Sequence, residues 1–196
     1  MSKGEATRER IVDRAWRLAS RDGLAGLSLG RLAAELGLSK SGLFAHFGSK
    51  QELEIEVLRI ASEHFVNEVI RPALKAPRGV PRLRQIFKNW IAWANDPAVP
   101  GGCVFLAAAT ELDDAAGPQR DFLVNTQAAF IATLSKAARI AVEERQFRPD
   151  LDCDQFAFEM LGIVLAYHHT RRLLRLPKAE GRATTAFEAL LETSSS

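Results

Sequence analysis

Apolar residues recur along this chain at three- and four-residue spacing, broken by short polar, glycine or proline stretches, which predicts helices throughout and no sheet. From Thr7 to Arg21 the set Ile11, Ala15, Trp16, Leu18 and Ala19 shares one face, and Gly23 closes this first helix. Ser28 caps a second, whose Leu29, Leu32, Ala33 and Leu36 lie together, and Gly37 supplies the left-handed position that ends it. Leu38 follows as a hydrophobic latch. Ser39 then caps a helix of about two turns, with Leu43, Phe44 and Phe47 inward and Lys40, Ser41, Gly42, Ala45 and His46 outside. Ser49-Lys50-Gln51-Glu52 reads as a capping box opening a fourth helix to about Ile70, on the order of 30 Å long, before Pro72 stops it. Leu53 and Val57 would serve the N-terminal helices, and Phe65, Val69 and Ile70 the part that follows.

The stretch from Ala76 to Pro81 is the clearest loop, after which Leu83, Ile86, Phe87, Trp90 and Ile91 form a helical stripe ending near Asn95-Asp96-Pro97. Pro100-Gly101-Gly102 breaks the chain again, and a short helix runs from Cys103 to Leu112. Gly117-Pro118 opens a long helix from Gln119 to Gln146, stopped before Pro149; two more span Cys153 to Leu176 and Ala179 to Glu192, for about nine in all. No internal repeat is present, and only the terminal Ser194-Ser195-Ser196 reads as disordered. Residues 156–167 read FAFEMLGIVLAY, with Glu159 the single polar member; a helix apolar all round must be buried all round, and this run is too short for a membrane. With the last helix it predicts a two-fold four-helix dimer interface built from Phe156, Met160, Ile163, Val164, Tyr167, Leu174, Phe187, Leu190 and Leu191. The other reading is a fully central helix of a monomer.

Composition adds limits. Ala, Leu, Arg and Glu dominate, and 196 residues at 47% hydrophobic content suffice for one core, or for a small and a larger domain sharing a helix. The N-terminus lacks the apolar stretch of a signal peptide and no nonpolar run approaches a membrane span, so a cytoplasmic protein without a membrane partner is expected. Cys103 and Cys153 have no metal-ligand spacing and read as structural thiols in a reducing compartment. The net charge of +2 is uneven: residues 1–50 carry nine Lys and Arg against five Asp and Glu, +4, leaving −2 elsewhere. That asymmetry suits phosphate binding, and equally a surface helix with solvated arginines.

Gly23, Ser28, Leu32-Ala33, Gly37-Leu38-Ser39, Phe44, His46-Phe47, Ser49-Lys50 and Leu53 stand at a distinctive spacing. On them, the stretch from Thr7 to Leu58 resembles the DNA-binding domain of the TetR (tetracycline repressor-like) family of bacterial transcriptional regulators. One departure is Phe44, where the family usually has Tyr, so a phenolic hydroxyl that commonly touches phosphate is missing. The resemblance implies an all-α protein: a three-helix DNA-binding domain with a helix-turn-helix, placed at residues 1–52, and a larger ligand-binding and dimerisation bundle at 53–196.

The face of small and basic residues on the third helix suits a major groove. Ser41 and Gly42 would let the helix approach the bases, and Lys40 lies in its first turn. Lys50 opens the fourth helix, where free backbone amides favour a phosphate. His46 holds a position that in the family often meets the DNA backbone; Arg31, Ser28, Ser39 and Phe44 complete the candidate set. The plain alternatives are solvated lysines and a half-buried structural histidine. Trp90, Trp93, Cys103, Phe105, Phe122, Phe130 and Phe158 suit core packing, or a mostly apolar ligand cavity with Asn89, Thr126, Gln127, Tyr167 and His168 as polar fixers. The resemblance is the main support for the cavity.

Nothing points to catalysis. His168 and His169 adjoin and would diverge by about 100 degrees on a helix, so a metal site is not expected. No nucleophile triad, glycine-rich phosphate loop or facing carboxylate pair stands out, Asp113-Asp114 falls in a loop, and no cofactor or enzyme activity is expected. The leading reading is a one-component regulator, a repressor that binds a palindromic double-stranded DNA operator as a homodimer and leaves it when a small-molecule inducer enters the C-terminal domain. Movement of the shared fourth helix would then take the two recognition helices off half-sites about 34–36 Å apart. The alternative is a helical enzyme or small-molecule carrier whose helix-turn-helix is only a packing motif. A thiol switch at Cys103, accessible beside Gly102, is a third idea.

Overall fold

The computed structural model describes residues 2–97, 99 and 101–195; Pro100 of the expected chain break and the final Ser196 lie outside the described residues. Among those described, nine α-helices of eight residues or more form and no strand does. The chain divides into two compact units, Met1–Phe65 with Asn95–Asn125, and Val66–Ala94 with Thr126–Ser196.

In the first unit, α1 (Lys3–Asp22) starts earlier than its apolar stripe because Ser2 and Glu5 form a reciprocal capping box, Glu5 N donating to Ser2 Oγ at 3.2 Å. Ile11, Ala15, Trp16, Leu18 and Ala19 are all buried. Gly23, at φ 77°, ends the helix by donating to Ala19 O at 2.9 Å. Helix α2 (Leu29–Leu36) is capped by Ser28 and ends at Gly37, φ 67°. Helix α3 (Lys40–Phe47) is capped by Ser39, whose Oγ accepts Gly42 N at 3.0 Å. Leu43 and Phe47 are buried, but Phe44 corrects its expected inward place: it is 38% exposed. A two-turn helix offers one inward stripe, taken by the pair four residues apart, and the residue next to Leu43 is rotated off it.

Helix α4 (Lys50–Phe65) buries Leu53, Val57, Leu58 and Ala61 completely. Half of its expected capping box forms: Ser49 Oγ accepts Glu52 N at 3.1 Å, whereas Ser49 N donates to Phe47 O at 2.7 Å. Trp16 of α1 stacks on His64 of α4 with centroids 4.4 Å apart. Helix α7 (Val104–Leu112), with buried Cys103 at its N-cap, sets Phe105 edge-on to Phe65. The preceding loop touches α1 so closely that a Cβ on Gly101 would fall 1.2 Å from Ser20 O.

Pro72 does not stop the helical path as expected. Residues Val66–Ile70 form a π-helical turn, and Pro72 sits at the start of the three-residue α5 (Arg71–Ala73). The missing amide of proline is tolerated in a first helical turn, and the wide turn before it relieves the clash with the preceding carbonyl.

In the second unit α6 (Val80–Ala94) buries its predicted stripe together with Trp93. Helix α8 (Pro118–Glu143), which belongs to this unit from Thr126 on, stops short of Gln146 because Arg145 turns left-handed at φ 56° and Gln146 N donates back to Ala141 O at 2.9 Å; the Gln146 Oε1 then accepts Val80 N at the start of α6 at 2.6 Å. Helix α9 (Cys153–Arg172) ends before Leu176, leaving Leu173 and Leu174 exposed. Helix α10 (Ala179–Ser194) runs past Glu192 and overturns the expected disorder at Ser194 and Ser195. Ser194 is buried, its carbonyl accepts Arg148 N at 3.0 Å, and Ser195 forms an isolated antiparallel bridge with Phe147. No helix among the described residues is long and apolar enough to cross a membrane.

Candidate nucleic-acid interface and the apolar interior

Because Leu43 and Phe47 anchor α3 from below, its other side stands open: Ser39, Lys40, Ser41 and Phe44 are exposed, and Gly42 and His46 half-buried. A Cβ on Gly42 would meet Ser39 Oγ at 3.1 Å, so the capping hydroxyl already crowds this position. Ser39 Oγ also lies 3.1 Å from Ser41 Oγ. Ser28 and Arg31 are exposed at the start of α2. Arg31, however, is not idle: it pairs with Asp22 and with Glu35, each at 3.1 Å, while Arg21 pairs with Asp22 and Arg14 with Glu35. Hydrogen bonding to Arg21, with Arg31 beside it, holds the Asp22 carboxyl below the usual range, and Arg14 and Arg31 do the same for Glu35.

Lys50, half-buried at the start of α4, also has partners, Glu54 at 3.4 Å and Ala25 O at 3.4 Å. Ala25 N donates in turn to Glu111 Oε2 at 2.9 Å, 86 residues away in sequence. Gln119 joins the same edge, donating to Glu54 at 3.0 Å and accepting from Gln51 at 2.8 Å. Nothing local in the sequence marks Glu111 or Gln119, because each acts on residues that only the fold brings near.

The candidate ligand residues fall into both units, with Cys103 and Phe105 buried and Phe122 half-buried in the first. In the second, Trp90 and Trp93 are buried and Phe130 meets Trp90 edge-on at 4.7 Å. Asn89 is committed to the fold, donating to Val69 O in the π turn at 2.9 Å and accepting from Gln85 at 2.7 Å. Thr126 and Gln127 are half-buried, Tyr167 is fully buried, and Phe158 is 66% exposed, so it lines no enclosed space. His168 is half-buried with no hydrogen-bond partner for Nε2 among the described residues; burial, with Arg172 and His169 nearby, pushes its imidazole down.

Most of the dimer candidates are covered within the protomer. Phe156, Met160, Val164, Tyr167, Phe187, Leu190 and Leu191 are buried by their own chain, whereas Ile163 is half-buried and Leu174 exposed. The open face between α9 and α10 is a groove in which the small residues Gly162, Ala166, Ala186 and Ala189 lie beside Ile163, Tyr167 and Leu190 of the expected set. Their i, i+4 spacing on α9 was a signal in the sequence, overshadowed by the larger apolar residues.

Two family patterns match this chain, "Bacterial regulatory proteins, tetR family" over residues 11–57 and "Tetracyclin repressor-like, C-terminal domain" over residues 79–187. No curated protein matches. Among solved structures, a TetR transcriptional regulator from Chloroflexus aurantiacus J-10-FL is 24% identical, with TM-score 0.83, covering 98% of this chain and 96% of its own. A TetR-family regulator from Cytophaga hutchinsonii is 22% identical, with TM-score 0.85 and 100% and 98% coverage. AibR, solved with isovaleryl coenzyme A and operator DNA, is 21% identical, with TM-score 0.71 and 95% and 97% coverage. At these identities the structural likenesses establish the fold.

Proposed function

This chain belongs to the TetR family of DNA-binding, ligand-responsive bacterial regulators, and from that premise we propose that it is a repressor binding a palindromic operator as a homodimer. Membership does not favour the reading as an enzyme or carrier with an incidental helix-turn-helix. The observation that carries the proposal is α3: two buried anchors, Leu43 and Phe47, under an exposed run of Ser39, Lys40 and Ser41. Small hydroxyls and a cation at a short, capped helix suit close approach to base edges and phosphates.

On this reading residues 1–52 bind DNA and 53–196 bind ligand and dimerise. Ser28, Arg31, His46 and Lys50 border the DNA surface, with Arg31 and Lys50 exchanging carboxylate partners for phosphate. The dimer forms across the groove of α9 and α10, where small residues let backbones approach closely beside Ile163, Tyr167 and Leu190, and the buried Phe156, Met160, Val164, Phe187 and Leu191 support it from beneath. An inducer held among the C-terminal aromatic residues alters the separation of the two recognition helices, which must match half-sites about 34–36 Å apart or a multiple. The protein works in the cytoplasm, where its operator is.

The test is fluorescence anisotropy on a duplex of about 30 base pairs, enriched by the protein from a randomised pool, against a scrambled duplex. Binding to the enriched duplex should be tighter by roughly a thousandfold or more and fall steeply with salt. Equal, weak binding to both would overturn the proposal.

A further inference from the structure

Ala25, in the turn between α1 and α2, is held at both its amide and its carbonyl by side chains from other helices. Its N–H donates to Glu111 Oε2 at 2.9 Å, from the end of α7, and its carbonyl accepts from Lys50 Nζ at 3.4 Å, from the start of α4. Lys50 also pairs with Glu54, and Glu54 accepts a hydrogen bond from Gln119 at 3.0 Å. All of these residues belong to the first compact unit. The Glu111 carboxylate is seated in the turn itself: a Cβ on Gly23 would fall 1.8 Å from its Oε1, at a residue whose φ is already 77°. Only glycine leaves room for it.

We propose that Glu111 is a positioning residue for DNA binding, which fixes the turn leading into α2 and so sets the orientation in which α2 and α3 meet the duplex. Gln119, through Glu54, steers Lys50 toward the same turn. The inference rests on the reading of α3 as the groove-facing helix and deepens it, because it names a control point on α7, outside residues 1–52. A charged acceptor bonds an amide more strongly than a neutral one. The bond ties a turn in which Ala25 and Gly26 are exposed, as is Glu111 itself. Base reading needs a fixed orientation, whereas general attraction to phosphate does not, so loss of this bond should be felt selectively.

Full-length Glu111→Ala and Glu111→Gln, without added ligand, test the proposal on the enriched and scrambled duplexes described above. Glu111→Ala should bind the enriched duplex about five- to tenfold more weakly, the size of one solvent-exposed hydrogen bond, with binding to the scrambled duplex unchanged. Its melting temperature should stay within about 3 °C of the parent. Glu111→Gln should recover most of the affinity, since its amide oxygen still accepts from Ala25 N–H. Unchanged affinity of Glu111→Ala for the enriched duplex overturns the proposal. So does a parallel loss on both duplexes accompanied by a lower melting temperature, which marks a merely structural contact. A parent protein that fails to discriminate the two duplexes overturns the groove-facing reading and this proposal with it, an outcome distinct from a discriminating parent with an indifferent variant.

Discussion

Lys40 and Lys50 carry the same charge into different surroundings. Lys40 stands exposed in the first turn of α3, whereas the ammonium of Lys50 is shared between Glu54 and the Ala25 carbonyl. Lys40→Ala should weaken binding to specific and unrelated duplexes alike and lower the slope of log affinity against log salt by about one. Lys50→Ala should change that slope less, because its phosphate contact must first displace a carboxylate; anisotropy titrations across a salt series compare the two. Trp90 raises a separate question, packing or pocket. It is 4% exposed and meets Phe130 edge-on, so Trp90→Ala should cost about 3 to 5 kcal/mol in chemical denaturation. A loss below about 1 kcal/mol would show that the indole borders open space rather than a filled core.

Helices α1 and α2 are joined by a chain of charges, Arg14 and Arg31 on Glu35, Arg31 and Arg21 on Asp22. Asp22 and Glu35 are held below their ordinary values, so the folded state gives up their protons more readily than the unfolded chain does. Their contribution is therefore complete above the unfolded carboxylate values, near pH 4, and is lost as the pH falls through the lower folded values. All these groups are solvent-exposed, which keeps the contribution small. Melting temperature against pH should show an acid limb that is shallower in Asp22→Asn/Glu35→Gln, and an identical limb in that variant would remove these pairs from the account. Neutralising the carboxylates also leaves Arg31 without its partners, so the same variant should bind DNA of any sequence more tightly at low salt.

At the scale of the whole molecule, the proposed dimer puts separate demands for stability and for assembly on α9 and α10. Met160 is fully buried in the protomer, so Met160→Glu should unfold the chain by placing a carboxylate in its core. Ala166 and Ala189 line the open groove, and glutamate at either should leave the helical content intact while yielding monomers. Light scattering after size-exclusion chromatography, paired with circular dichroism, distinguishes these outcomes. Folded dimers from both alanine variants would place the assembly surface elsewhere.

Helix positions, caps and glycine stops were legible in the sequence because they rest on neighbours within about four residues: Ser28 and Ser39 cap, Gly23 and Gly37 stop, and the stripe of α6 turns inward as its spacing requires. The same local signals gave the exposed side of α3 and, with the family pattern, the DNA-binding character. Periodicity identifies apolar faces but does not say whether the same chain or another covers them, so Met160, Val164 and Phe187 lie in the protomer core while Gly162 and Ala166 line the groove. Proline chemistry pointed to an end at Pro72, yet a π turn with Asn89 on Val69 O carries the helical path past it. The C-terminal serines read as a tail until their backbone met residues 147 and 148. Glu111 at Ala25, and the carboxylates around Arg31 and Lys50, likewise belong to the tertiary structure alone. Local propensity is written in adjacent residues, whereas partners for charge, amide and apolar surface are assigned only when distant segments meet.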